Sequence, residues 1–325
     1  MNVVLTLYAT FQFHNIMKIL CLDHNHPLIE EQLSQKGFTF AHDYTSSYDE
    51  VLKKINDYEG IIIRSRIPLD RNFLEKAERL KFIARVGAGM ENIDQEVAKQ
   101  RGIALINSPE GNRDSVAEHV VGMLLLLMHR LVIASLEVKN GIWLREENRG
   151  DELLGKTFGI IGYGNMGKAT AKRLKGFGVN VIFYDILDGL EDENAKAVTL
   201  QELKQQADIV SLHVPLTPLT LNMVDETFIN QMEKPFYLVN TARGKNVKTS
   251  DLVTGLKSGK VRGAALDVLE YEKSSFEKLE LQNEDLNYLL KAPNVIVTPH
   301  IGGWTVQSKY KLAQFIVDKI VAQFS

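Results

Sequence analysis

Residues 157–174, TFGIIGYGNMGKATAKRL, pass from a short apolar run through three glycines into an amphipathic stretch. The apolar run reads as a strand and the stretch after the glycines as a helix, so Gly162, Gly164 and Gly167 form a GxGxxG turn between them. Gly162 permits the tight turn, Gly164 lets the backbone approach a pyrophosphate, and Gly167 lets helix pack closely on strand. The helix start, at Asn165 and Met166, offers free N–H groups and a partial positive charge to phosphate oxygens. The next apolar run, VIFYD, ends at Asp185, 18 positions after Gly167. An acid there accepts from both ribose hydroxyls and repels a 2′-phosphate, which favours NAD over NADP.

Working outward, strands are expected at 157–162, 180–185, 209–214, 236–241, 263–268 and 295–298, with helices between them. Six such strands make a doubly wound Rossmann sheet. Upstream, five more short apolar runs (18–23, 38–41, 61–64, 82–86, 103–106) alternate with amphipathic stretches at 28–36, 48–56, 71–78 and 95–100. Near-continuous Ile/Val/Leu strands separated by helices predict a second parallel sheet covered on both faces, of flavodoxin-like type. Between the two series, 115–140 reads as one helix without proline, closed by Gly141. Its apolar positions are too dense for a single buried face, so burial between domains or subunits is expected. The last helical stretch, 307–324, follows a completed sheet and is expected to pack back on the N-terminal domain. The α/β chain thus divides into a discontinuous substrate domain, 17–107 plus 304–325, and an NAD-binding domain, 108–303.

The 325 residues are 45% hydrophobic and 24% charged, with a formal net charge of −3. That balance draws in neither nucleic acid nor anionic membrane by bulk electrostatics. The longest apolar run, 120–128, stops at His129-Arg130, short of the ~20 residues a bilayer helix needs. Cys21 is the only cysteine, which excludes an intrachain disulfide and fits a reducing, cytoplasmic setting. His24 and His26 have no further ligand at metal spacing, so no metal is expected. Met17 opens MKILCLD as a first strand, and residues 1–16 read as an upstream extension, the alternative being an extra strand or arm.

In an open α/β sheet, ligands sit beyond the carboxyl ends of the strands. Arg243 follows FYLVNTA, Asp267 and Glu272 flank the end of RGAALDVLEYE, and His300 follows VIVTP. Each alone has a mundane reading as a solvated or capped polar residue, but cation, acid and imidazole at one sheet edge suit reduction of a 2-keto acid. Guanidinium supplies a planar bidentate partner for the substrate carboxylate and polarises the carbonyl. Imidazolium delivers the proton to the developing alkoxide. A carboxylate on its other nitrogen holds the tautomer and favours the protonated ring. Arg243, His300 and Glu272 are expected in those three roles.

RVGAGMENID at 85–94, SVAEH at 115–119, GIIGYG at 159–164, SLHVPLT at 211–217, NTARG at 240–244, AALDV at 264–268 and TPHIGG at 298–303 together resemble the D-isomer-specific 2-hydroxyacid dehydrogenases. Within that family the resemblance is strongest to the D-3-phosphoglycerate dehydrogenases of serine biosynthesis, and it runs from about Lys18 to the C-terminus. It implies catalytic Arg243, Glu272 and His300, and cofactor contacts at Asn165, Met166, Asp185, Thr241, Asp267 (to the carboxamide) and Gly302. It implies that backbone amides of Val86, Gly87, Ala88 and Gly89 receive the substrate carboxylate, and that the active form is a dimer built on the nucleotide domain. Arg64 and Arg85, at strand ends facing the interdomain cleft of this architecture, match arginines that would take a substrate phosphate.

Two departures stand out. The family places proline after the catalytic glutamate, whereas Lys273 follows Glu272 here, and Glu270 lies two residues earlier. The chain also ends directly after its closing helix, so no appended regulatory domain and no feedback inhibition by L-serine are expected. His119 reads as a packed core histidine, His213 as either cofactor contact or scaffold, and Trp304 as either pocket wall or packing. The rival activities are hydroxypyruvate or glyoxylate reduction and D-lactate oxidation. From another class, an NAD-sensing corepressor shares the fold, but the basic surface and degraded site it requires are not seen.

Overall fold

The computed structural model of the chain describes residues 17–272 and 283–325. The expected extension at 1–16 and Lys273 after the glutamate lie outside the described residues. The chain forms two compact units: one holds the chain to Val86, Ile93–Ile106 and Ile316–Ser325, the other Gly87–Asn92 and Asn107–Phe315.

The first unit is built on β1 (Lys18–Cys21), β2 (Thr39–His42), β3 (Gly60–Ile63), β4 (Phe82–Arg85) and β5 (Ala104–Asn107), in the order β2-β1-β3-β4-β5. This is the flavodoxin-like order, and β1–β2, β1–β3 and β3–β4 pair in parallel. Between strands run α1 (Leu28–Ser34), α2 (Tyr48–Lys54), α3 (Arg71–Lys76) and α4 (Gln95–Gln100). Their starts are chemically marked: Ser47 and Glu50 form a capping box, and Asp70 and Asp94 accept from the backbone of Phe73 and Val97. The central strand β3, GIII, is wholly buried, as a parallel strand covered on both faces must be.

The second unit begins with α5 (Pro109–Met128) and α6 (Leu131–Lys139). It continues through β6 (Thr157–Ile161), α7 (Asn165–Leu174), β7 (Asn180–Tyr184), β8 (Lys196–Ala197), α8 (Leu200–Gln206), β9 (Ile209–Leu212), α9 (Glu226–Gln231), β10 (Phe236–Asn240), α10 (Thr249–Ser258), β11 (Val261–Leu266), α11 (Glu284–Lys291) and β12 (Val295–Val297). The sheet order is β12-β11-β10-β9-β6-β7-β8. One core, with Val120, Leu124, Phe158 and Ile160, lies under α5 and α7, and another, with Ile161, Val210, Phe228 and Leu238, lies on the opposite face.

Two expectations change. Among the described residues the sheet has seven strands, not six: β8 is two exposed residues paired to β7, without apolar alternation to announce it. The expected single helix 115–140 starts earlier, with Pro109 at its first turn, and breaks after Met128. Arg130 takes the left-handed conformation (φ 56°), and the returning chain caps α5 when Asp151 N–H donates to Met128 O at 2.9 Å. The second half, α6, has no buried residue.

The closing helix α12 (Val306–Phe324) contributes its first half to the second unit and its second half to the first. In the second, Lys311 reaches Asp114 at 2.9 Å, and Gly111 leaves room for the Leu312 backbone. In the first, Ile316 and Ile320 are fully buried and Phe324 packs on Phe82 at 4.9 Å. Gly87–Asn92 groups with the second unit because Ser108 N–H and Asn107 Nδ2 donate to the carbonyls of Gly87 (2.9 Å) and Ala88 (2.7 Å).

Candidate active site

The glycine turn has the steric logic its spacing implies. Gly162 has φ +92°, and a Cβ there would lie 2.6 Å from the carbonyl of His213; one on Gly167 would lie 2.2 Å from the carbonyl of Gly162. A Cβ on Gly164 would meet nothing within 4 Å, so neighbouring protein atoms do not require that glycine. Gly164 and Asn165 are exposed at the start of α7, which has no capping side chain, while Met166 is half-buried against the core. Asp185 follows β7 and accepts from Tyr163 N–H (2.6 Å) and Leu187 N–H (3.0 Å), tying the turn to the next strand. Thr241 Oγ1, after β10, is buried and finds no partner among the described residues. An open cradle at Gly164, an uncapped helix start, a half-exposed acid and an orphaned hydroxyl fit a dinucleotide.

His213 presses its backbone against this turn, and its Nε2 lies 2.9 Å from Ser211 Oγ. Burial pushes its imidazole down to about 4, so the ring is neutral near pH 7.

Arg243 follows β10 on a clamped backbone. Its N–H donates to Asn246 Oδ1 (3.0 Å) and its carbonyl accepts from Asn240 Nδ2 (2.9 Å). The guanidinium Nε donates to Glu91 Oε1 at 2.6 Å.

His300 stands after β12 with φ +56°, a conformation non-glycine residues rarely adopt. Its Nδ1 is 2.8 Å from Glu272 Oε2, while Glu272 Oε1 accepts from Leu269 N–H at 2.5 Å. Glu270 is engaged elsewhere, accepting from Thr249 N–H at the start of α10 (2.9 Å). The geometry therefore brings Glu272, not Glu270, to the imidazole.

Asp267, at 2% exposure, organises the same turn. Its Oδ1 accepts from Thr298 Oγ1 (2.6 Å) and Ile301 N–H (2.9 Å), and its Oδ2 from Gly302 N–H (2.7 Å). Burial alone would raise its carboxyl, but bonds from His119, Thr298, Gly302 and Ile301 hold it below the usual carboxylate range. Little of that carboxylate is left for a carboxamide, and Gly302 serves the same scaffold, since a Cβ there would lie 2.8 Å from Asp267 Oδ2. From α5, His119 Nε2 reaches Thr298 Oγ1 (3.0 Å) and Ser115 Oγ donates to Gly302 O (2.7 Å). Trp304, 64% exposed, is not packed into a core.

In the first unit, Arg64 follows β3 and Arg85 ends β4, where Ile63 and Arg85 are register partners. Arg85 Nε donates to the carbonyl of Arg64 at 3.2 Å. Val86 N–H is spent on Ile63 O (2.9 Å), which leaves Gly87, Ala88 and Gly89 as the expected amide donors. Glu91, Ser115 and Thr298 join the site without having been expected there; all three stand inside the motifs RVGAGMENID, SVAEH and TPHIGG, Glu91 and Thr298 each two positions from an expected site residue.

Comparison with known proteins follows the same lines. The family described as D-isomer specific 2-hydroxyacid dehydrogenase, NAD binding domain, matches residues 121–302. A hydroxypyruvate reductase of Thermotoga maritima is 37% identical over 272 residues, covering 84% of this chain and 87% of its own. A D-3-phosphoglycerate dehydrogenase of Methanocaldococcus jannaschii is 38% identical over 276 residues, covering 84% of this chain. The match spans only 51% of that longer relative. The crystal structure of D-lactate dehydrogenase from Aquifex aeolicus, complexed with NAD and lactic acid, superposes with a TM-score of 0.81 at 31% identity, covering 94% of each chain.

Proposed function

Because the chain belongs to the D-isomer-specific 2-hydroxyacid dehydrogenases, we propose that it interconverts 3-phosphoglycerate and 3-phosphohydroxypyruvate with Arg243, Glu272 and His300 as catalytic residues. As a member of that family it is an NAD-dependent oxidoreductase of 2-hydroxy acids. The observation that carries the catalytic assignment is the 2.8 Å pair of His300 Nδ1 and Glu272 Oε2, in the same unit as Arg243 and the glycine turn.

In the reducing direction, Gly162, Gly164, Asn165, Gly167, Asp185 and Thr241 would hold the nicotinamide cofactor, which would supply the hydride when bound. Arg243 receives the substrate carboxylate and draws electron density toward the keto oxygen. With Nδ1 engaged by Glu272, His300 carries the transferable proton on Nε2 and gives it to that oxygen as negative charge develops. Glu272 stabilises the positive ring before transfer, and Asp267 keeps the His300 turn in its strained conformation.

The phosphate reading rests on Arg64 and Arg85, adjacent cations at neighbouring strand ends. Truncating a charge-assisted phosphate contact costs ~1.5–3 kcal/mol, so Arg64→Ala or Arg85→Ala raises KM for phosphohydroxypyruvate roughly ten-fold or more and spares hydroxypyruvate. A substrate panel read by NADH oxidation, repeated with NADPH, decides it. Preference for hydroxypyruvate, glyoxylate or pyruvate overturns the phosphoglycerate assignment, and equal use of NADPH overturns the role of Asp185.

The partner is a second copy of this chain. Leu131, Val132, Leu136 and Val138 of α6 are each 43–53% exposed, and Trp143 beyond it is 81% exposed. Apolar surface of that density marks an interface. Leu136→Asp is expected to give monomers by light scattering where the unaltered chain gives dimers; a fully active monomer of the latter refutes it.

A further inference from the structure

The segment Gly87–Asn92 meets Arg243 through a carboxylate that the mechanism above does not use. Glu91 Oε1 accepts from Arg243 Nε at 2.6 Å, with the two side chains only 30% and 21% exposed. Arg243 Nη1 donates to the carbonyl of Ala242 at 2.7 Å. A Cβ on Gly89 would lie 2.1 Å from Arg243 Nη2 and 2.1 Å from Glu91 Oε2, so the absence of a side chain at 89 is what admits the pair. The guanidinium carries five N–H bonds in a fixed plane. One on Nε and one on Nη1 are committed, and Nη2 lies against the backbone at Gly89.

We infer that Glu91 is the positioning residue for Arg243. Its carboxylate sets the rotation of a long side chain, so that the uncommitted N–H bonds face one place beside Gly89, where a substrate carboxylate is received. A carboxylate suits this task because it only accepts and makes a short, charge-assisted bond to Nε. An amide at 91 brings donors that compete for the same plane. The inference rests on the reading of Arg243 as the substrate-binding cation.

The test is a double-mutant cycle on the full chain, using whichever 2-keto acid the panel finds fastest. KM, kcat, NADH affinity by fluorescence and melting temperature are measured for each variant. Glu91→Gln is expected to raise KM about ten-fold, with NADH affinity and melting temperature unchanged, and Glu91→Asp to recover part of the loss. In an Arg243→Lys background, where the planar fork is gone, Glu91→Gln is expected to change KM less than two-fold. An unaltered KM in Glu91→Gln overturns the positioning role. So does an equal loss in the Arg243→Lys background, or a joint loss of NADH affinity and melting temperature. If Arg243→Lys alone keeps the KM and kcat of the unaltered protein, the reading of Arg243 fails, and the positioning role with it, whatever Glu91→Gln does.

Discussion

Two turns follow two strands of the same sheet and are held in opposite ways. The turn after β6 is shaped by what its own residues lack: Gly162 and Gly167 have no Cβ, and a neighbouring carbonyl occupies each place one would fill. The turn after β12 is shaped by what distant residues supply. Asp267 grips it from β11's end, Ser115 and His119 from α5, and Glu272 from a loop. One needs no strain on a side-chain-bearing residue; the other keeps His300 at φ +56°, a cost of order 1–3 kcal/mol that persists only because the surroundings over-determine it. A surface made of backbone can be relaxed, whereas a side chain proposed to donate a proton has to be aimed.

The largest effect that separates the two turns is expected from His300→Ala. Turnover falls about 10²–10⁴-fold, the usual worth of a positioned acid–base group, while NADH binding followed by fluorescence is kept. Loss of both together breaks the contrast. Gly167→Ala is the converse: overpacking against the Gly162 carbonyl costs ~1–3 kcal/mol, so the melting temperature and NADH affinity fall together. A variant that binds NADH normally removes the steric argument.

The smallest effect is on pH. His213, packed on the glycine turn, has its ring pushed by burial from 6.5 to about 4. The unfolded chain therefore takes up the proton first, and stability present above 6.5 declines as pH falls toward 4. Asp267, held below the ordinary 3.8, contributes stability that is present above that value and lost only beneath it. Thermal melts from pH 7 to 4 are expected to decline, and His213→Asn to flatten the decline. An unchanged slope in that variant shows that the ring is not the cause.

The same contrast explains what could be read in advance. Strand positions and the glycine turn follow from local periodicity and spacing, and both sheets stand close to where apolar runs place them. The break at Arg130 does not, because the stop signal is Asp151 returning from further along the chain. Strand β8 escapes notice because two exposed residues carry no pattern. At the site, residue type points to Arg243 and His300. Nothing in spacing pairs Glu91 with an arginine 152 positions away, nor decides between Glu270 and Glu272 until the N–H of Thr249 claims one of them.

The division of α12 carries a consequence for how the protein is made. Phe82 and Phe324 meet across most of the chain, with Ile316 and Ile320 buried in the same unit. The unit whose first strand comes earlier in the chain is thus completed after the other, for it waits on residues that follow the whole second sheet. The nucleotide-binding strands, contiguous in the chain, can assemble while the earlier sheet still lacks its closing helix. Non-local closure of this kind is slow and leaves apolar surface uncovered in the interval. Nascent chains stalled before Ile316 should therefore carry a folded second half and an aggregation-prone first one.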